Sequence, residues 1–354
     1  MTSIPIRRHT HLDILRLIAS FCVCYNHSFA YHLFLDQAAD NSLISWINVG
    51  LSSVVAINIP LFFMVSGALL LNKKESYSVL LRKRIFRVLV LIVAVSAVTY
   101  LLIPPASPSL QNFTAQLFQG TVYITHWYLF AYLGLLIALP FLRPAVREMS
   151  CHDFWFLIIL RTLFRPFLLI LNFWLEHFGF NVIQISSHLQ IPLAMIDCFF
   201  CPIVGYYLAH KYYTEHISRK QLWGWAGVFF GSCIIASWMT YAEGYYDGFT
   251  QNFIGEFGYS ATMAVFVLTR RFTEHVSLSG RVTRCLCSLS SSVIGIYLLE
   301  PIISYYLQSL FFRSIPWHPI PLTFFSILWC FLCMAIGSTL TWLLRKIPGV
   351  KKYL

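Results

Sequence analysis

His27 and Arg16 stand eleven residues apart in the first apolar stretch of this chain, three helical turns and about 16 Å along a helix axis. At 100° per residue, Asp13, Arg16, Ser20, Cys24 and His27 fall within roughly 80° of one another, on a single face. An ionisable group at membrane depth is costly, so it faces a cavity or a partner and marks function more often than not. A fixed cation near one rim and a titratable imidazole deep in the core suit a path along which an anionic ligand enters and reacts. His27 has the chemistry of a general base or of a transient carrier of a transferred group. The plainer alternative is an Asp13–Arg16 pair with one interhelical hydrogen bond from His27.

A second group follows the segment Ile59-Pro60-Leu61-Phe62-Phe63-Met64-Val65-Ser66-Gly67. Arg84 and Arg87 are i and i+3 on a helix, hence neighbours, and two guanidinium forks there can hold a phosphate; ordinary loop charge is the alternative. Glu300 lies about thirteen residues into its apolar stretch, some 20 Å along the axis and close in depth to His27. Arg161, Arg165, His126, Asp197 and Glu256 are further ionisable groups in apolar surroundings. A pairing of Arg161 or Arg165 with Asp197 or Glu256 would make them structural glue. Cys198-Phe-Phe-Cys201 and Cys330-Phe-Leu-Cys333 have no second pair at zinc spacing and read as small apolar packing residues, with no metal expected.

The elements that hold these groups are apolar helices. The 354 residues are 58% hydrophobic and only 11% charged, against about 25% in soluble domains. About ten stretches are long enough to span a bilayer: 12–34, 46–71, 86–103, 125–142, 153–175, 190–209, 222–241, 252–269, 287–311 and 320–344. When the loops alternate between two sides, one side collects twenty-one of the 25 Lys and Arg residues, from Arg7 and Arg8 to Lys351 and Lys352. The other side has only Arg313, and Arg16, Arg161 and Arg165 fall inside spans. By the positive-inside rule both termini are cytoplasmic. The opposite loops carry acids instead: Asp36, Asp40, Glu176, Glu243 and Asp247. The expected fold is an all-α, polytopic transmembrane bundle, a single domain over 1–354 with no separate soluble domain. The charge of +11 is explained by loops facing anionic lipid, and nucleic acid is not expected as a partner. The basic-then-apolar start lacks a small-residue cleavage site and carries Asp13, Arg16 and His27, so it reads as a retained first helix.

Taken in order, these segments resemble the acyltransferase-3 family of integral membrane acyltransferases, in particular the stand-alone O-acetyltransferases of bacterial surface polysaccharides. Leu12-Asp13-Ile14-Leu15-Arg16-Leu17-Ile18-Ala19, with His27 completing an Arg-x10-His spacing, is similar to the family's first-helix signature. Ile59 to Gly67 resembles its second-helix signature, and Arg84-Ile85-Phe86-Arg87 its Arg-x-x-Arg motif. His126-Trp127-Tyr128-Leu129 and Ser290 to Pro301 resemble two later segments. Glu300 departs from the pattern, since many relatives carry His there.

The resemblance implies transfer of an acyl group, acetyl above all, from cytoplasmic acyl-coenzyme A to a hydroxyl of a cell-surface or lipid-linked glycan at a bacterial inner membrane. No permanently bound cofactor is expected, since acetyl-coenzyme A is a substrate. On this reading His27 and Glu300 are the catalytic candidates. Arg16, Arg84 and Arg87 hold the donor, and Trp127 and Tyr297 contact substrate. A transporter or flippase for a lipid-linked glycan is the alternative, because its spans would also carry buried Arg, His and Glu. No internal repeat is evident to support it.

Overall fold

The computed structural model describes residues 10–28, 43–186, 188–189, 191–212, 217–243, 253–275, 278–316 and 318–354. Arg7, Arg8, Asp36, Asp40 and Asp247 lie outside them. Among the described residues the regular structure is entirely helical. The principal helices are α1 (Thr10–Asn26), α2 (Leu43–Val55), α3 (Asn58–Leu70), α4 (Phe86–Leu102), α5 (Leu110–Gln119), α6 (Trp127–Glu148) and α7 (Cys151–Thr162). They continue with α8 (Leu168–His177), α9 (Asp197–His210), α10 (Arg219–Glu243), α11 (Phe253–His275), α12 (Gly280–Ile303) and α13 (Pro319–Leu344).

Seven continuous helical stretches among the described residues are long and apolar enough to cross a bilayer: Trp46–Leu70, Tyr77–Leu102, Ile124–Glu148, Cys151–His177, Arg219–Glu243, Gly280–Phe312 and Ile320–Leu344. This is the architecture of a multi-pass membrane protein. They coincide with seven of the expected spans. The other three are also helical, and their shortfall has visible causes. α1 has 17 described residues and α9 only 14, whereas α11 is diluted by Glu256, Ser260, Thr262 and Arg270. More than half of the residues of α1 and of α9 are buried against neighbouring helices.

α3 and α9 approach to backbone contact. A Cβ on Gly67 would lie 1.9 Å from the carbonyl oxygen of Pro202, and one on Gly205 would lie 2.0 Å from that of Met64. Only hydrogen at both positions lets the backbones meet, the small-residue logic of membrane helix packing. α1 then packs against both α3 and α12. The termini follow ordinary capping chemistry. Ser109 and Ser279 accept from Asn112 N and Val282 N, and Ser150 forms a capping box with Asp153.

The remaining intramembrane charges pair with one another. Arg161, 4% exposed, reaches Asp197 and Glu256 at 3.1 Å each, and Arg165 reaches the other Glu256 oxygen at 2.8 Å. Arg161 also lies 4.1 Å from the centroid of the Tyr259 ring and donates to the Ala194 and Met195 carbonyls. This network joins α7, α9 and α11, as the structural alternative expected. Cys201, Cys330 and Cys333 are fully buried among apolar side chains.

Candidate active site

α1 and α12 bring His27 and Glu300 together. The imidazole Nδ1 lies 2.8 Å from Glu300 Oε2. With a carboxylate at that distance, hydrogen-bond logic assigns the ring proton to Nδ1 and leaves a lone pair on Nε2. Glu300 is 2% exposed, and its Oε1 accepts from Ser304 Oγ at 2.7 Å, so both buried oxygens are satisfied. Local sequence explains the placement. Pro301 cannot donate a backbone hydrogen bond, and the helix widens to a π-helical turn over Ser304–Gln308. Gln308 on that turn donates its side-chain amide to His27 O at 3.4 Å.

Two cavities flank this dyad and its neighbours. The first, of about 250 Å³, is lined by His27, Glu300, Tyr123, Thr125, Ser304, Tyr305 and Gln308 among others. The second, of about 270 Å³, includes Arg16, Ser66, Arg87, Tyr128, Tyr132, Ser290, Tyr297 and Leu354. The Tyr297 hydroxyl donates to the carbonyl of Thr125. Because Tyr297 lines one cavity and Thr125 the other, this bond belongs to the partition between them. Tyr128 packs edge-on against Tyr297 at 5.7 Å, and His126 does so at 6.2 Å. His126 is 1% exposed, and neither ring nitrogen has a hydrogen-bond partner among the described residues.

At the charged end, Asp13 accepts from Ser290 Oγ at 2.7 Å and from Arg16 Nη1 at 3.4 Å. The two arginines of the Arg-x-x-Arg pair diverge. Arg84 is held by Glu75, with Nε at 2.8 Å and Nη2 at 2.5 Å, and Arg143 binds the same carboxylate at 2.9 Å. These bonds, that from Arg84 first, hold the Glu75 carboxyl down at about 2. Arg87 instead donates through Nε and Nη2 to the carbonyl of Tyr353, at 3.0 and 2.8 Å. Gly349, at φ 87°, makes the turn that returns the last residues to this position.

Of the residues singled out from sequence, His27 and Glu300 meet in one cavity, whereas Arg16, Arg87 and Tyr297 line the other. Arg84 lines neither, and Trp127 is 46% exposed on the outside of the bundle. Ser304 and Glu75 are among the participants that the sequence did not single out. Ser304 sits one helical turn after Glu300, a spacing that would have pointed to it. Glu75, between Lys74 and Ser76, carried no periodic signal.

The family model for the acyltransferase-3 acyltransferase domain matches residues 9–339 of the 354. The chain belongs to the acyltransferase-3 family. No curated protein and no solved structure matches it. The matched region of this acyltransferase contains His27, Glu300 and every residue named above on the two cavities except Leu354. At position 300 the acyltransferase has an acceptor-only carboxylate facing Nδ1, which fixes the imidazole tautomer in a way a second imidazole would not.

Proposed function

We propose that this membrane acyltransferase moves an acetyl group from acetyl-coenzyme A to a hydroxyl of a cell-surface or lipid-linked glycan, at the inner membrane of a bacterial cell. The observation that carries this reading is the 2.8 Å contact between His27 Nδ1 and Glu300 beside an open cavity. It is a base with its orienting acid, the arrangement that oxygen nucleophiles require.

The phosphates and apolar arm of the donor occupy the cavity with Arg16 and Arg87, on the side that the loop charges assign to the cytoplasm, and its acetyl thioester reaches past the Tyr297–Thr125 bond to His27. Both guanidinium groups suit the donor's phosphates, and the aromatic wall of Tyr128, Tyr132 and Tyr297 suits its apolar arm. The acceptor sugar enters beside His27. A cavity of about 250 Å³, a little below the roughly 300–1,000 Å³ of common ligand sites, holds a terminal sugar unit with the rest of the glycan outside. The acceptor hydroxyl gives its proton to His27 Nε2 as its oxygen attacks the thioester carbonyl. The C–S bond then breaks, and the coenzyme A thiolate recovers the proton from the imidazolium. Glu300 stabilises the imidazolium between these steps and is not itself protonated.

Purified protein in lipid nanodiscs, given acetyl-labelled coenzyme A and envelope glycans, should transfer label to glycan, and His27→Gln protein should not. Glycan movement across reconstituted vesicles without label transfer would replace this reading with the transporter.

A further inference from the structure

A third cavity, of about 420 Å³, lies apart from both of those assigned above, where the loop after α3 meets the charged end of α6. Its wall includes Lys73, Lys74, Glu75, Tyr77, Arg143 and Arg147. With Arg84 behind Glu75, five cations surround one carboxylate. That carboxylate is already shared between Arg84 and Arg143, and no other acid lies within ion-pair distance of Lys73, Lys74 or Arg147 among the described residues. Partial desolvation and the nearby Arg84 charge pull the Lys73 ammonium below its ordinary value, with Glu75 opposing and Arg143 adding to the fall.

A second observation points into the same space. The Arg143 side chain is 7% exposed, with Nε committed to Leu70 O at 3.1 Å and one Nη2 bond to Glu75. Its Nη1 has no hydrogen-bond partner among the described residues, although the residue lines the cavity. Ser76 and Tyr77, also on the wall, open the helical stretch Tyr77–Leu102, whose N-terminal end carries partial positive charge. Leu81 and Phe141, each next in sequence to a wall residue, are exposed to 55% and 76% on the outside of the bundle, where lipid tails run.

We propose that this cavity is a phosphate-ester site, held by Lys73, Lys74, Arg143 and Arg147 and separate from the chemistry at His27. A phosphate ester satisfies the free Arg143 nitrogen and the unpaired ammonium groups together, which a neutral ligand or a carboxylate-free sugar does not. Two sources share that chemistry: the headgroup of an anionic phospholipid, and a soluble phosphate ester such as a nucleotide.

The full chain in phosphatidylcholine nanodiscs separates them. In one arm adenosine 3′,5′-bisphosphate is titrated, and in the other phosphatidic acid is added to the discs and retained lipid is counted by native mass spectrometry. Saturable binding in the first arm that the lysine variants below weaken assigns the site to a soluble ester, and selective retention in the second that they weaken assigns it to a headgroup. In the arm that binds, Lys73→Ala/Lys74→Ala should weaken binding about twenty-five-fold, at roughly fivefold per cation, and Lys73→Arg/Lys74→Arg should restore most of it. Both lysines are exposed, and Lys74→Gln alone, expected to lose about fivefold, guards against a folding defect in the double variant. The same measurements on His27→Gln protein keep this outcome independent of acyl transfer. Absence of saturable binding in both arms, or binding indifferent to the lysine variants, overturns the proposal.

Discussion

His27 and Glu300, 273 residues apart in the chain, share a 2.8 Å hydrogen bond in which the carboxylate is 3% exposed and the imidazole 21% exposed. The acid is dry and fully hydrogen-bonded, and the ring it orients borders open space. A proton-transfer pair has this division of labour, because the orienting partner must not move while the base must reach its substrate.

Replacing His27 with Ala should reduce acyl transfer by about 10²–10⁴-fold, with normal amounts of protein in the membrane. His27→Gln should not restore it, since an amide cannot take a proton at neutral pH. Glu300→Gln keeps the shape but loses the charge facing the imidazolium, and should lower the rate at least about tenfold with little change in donor KM. Labelled-donor assays on the three variants test this, and a near-normal rate in His27→Gln would remove His27 as the base.

Arg84 and Arg87 should behave differently despite their shared motif. Arg87 lines the proposed donor cavity, so Arg87→Ala should raise the apparent donor KM about ten- to a hundredfold, with Lys a partial rescue. Arg84 is committed to Glu75, so Arg84→Ala should lower thermal stability and affect donor KM less. Equal shifts in donor titration for both variants would refute the division.

The Glu75 clamp carries a pH signature. Its carboxyl sits at about 2 in the folded protein against an ordinary 4.5, so its contribution is complete above pH 4.5 and disappears as pH falls through about 2. The melting-temperature gap between wild type and Glu75→Gln should therefore be constant above pH 4.5 and shrink on acidification towards pH 2. A gap that ignores pH would mean that Glu75 acts through packing alone.

Gly67→Ala should destabilise the bundle by about 1–3 kcal/mol or more, because its methyl would lie 1.9 Å from the Pro202 oxygen and the obstacle is backbone. Gly50→Ala serves as the control, since a Cβ there meets nothing within 4 Å. Thermal melts in detergent compare the two, and equal melting points would show that α3 and α9 separate freely.

Reporter fusions after Ser107 and after Glu243 should both score as external, as the distribution of Lys and Arg requires. A cytoplasmic score at either position would break the ten-span topology with both termini inside.

Much of this molecule is local, and the local part was readable in the chain. Helical periodicity put Asp13, Arg16 and His27 on one face of α1, and apolar length marked the seven membrane-competent helices. The depth of Glu300 followed from counting residues along its helix. What no counting supplies is the rotation of each helix about its own axis and the choice of faces that meet. Those were decided by packing, with Gly67 and Gly205 letting α3 and α9 close to backbone contact and α1 fitting against α3 and α12. Hence the His27–Glu300 bond, the capture of Arg84 by a glutamate nine residues earlier, and the outward turn of Trp127 belong to the tertiary structure. Spacing within a helix sets which side chains are neighbours on it, and only the assembled bundle decides what they face.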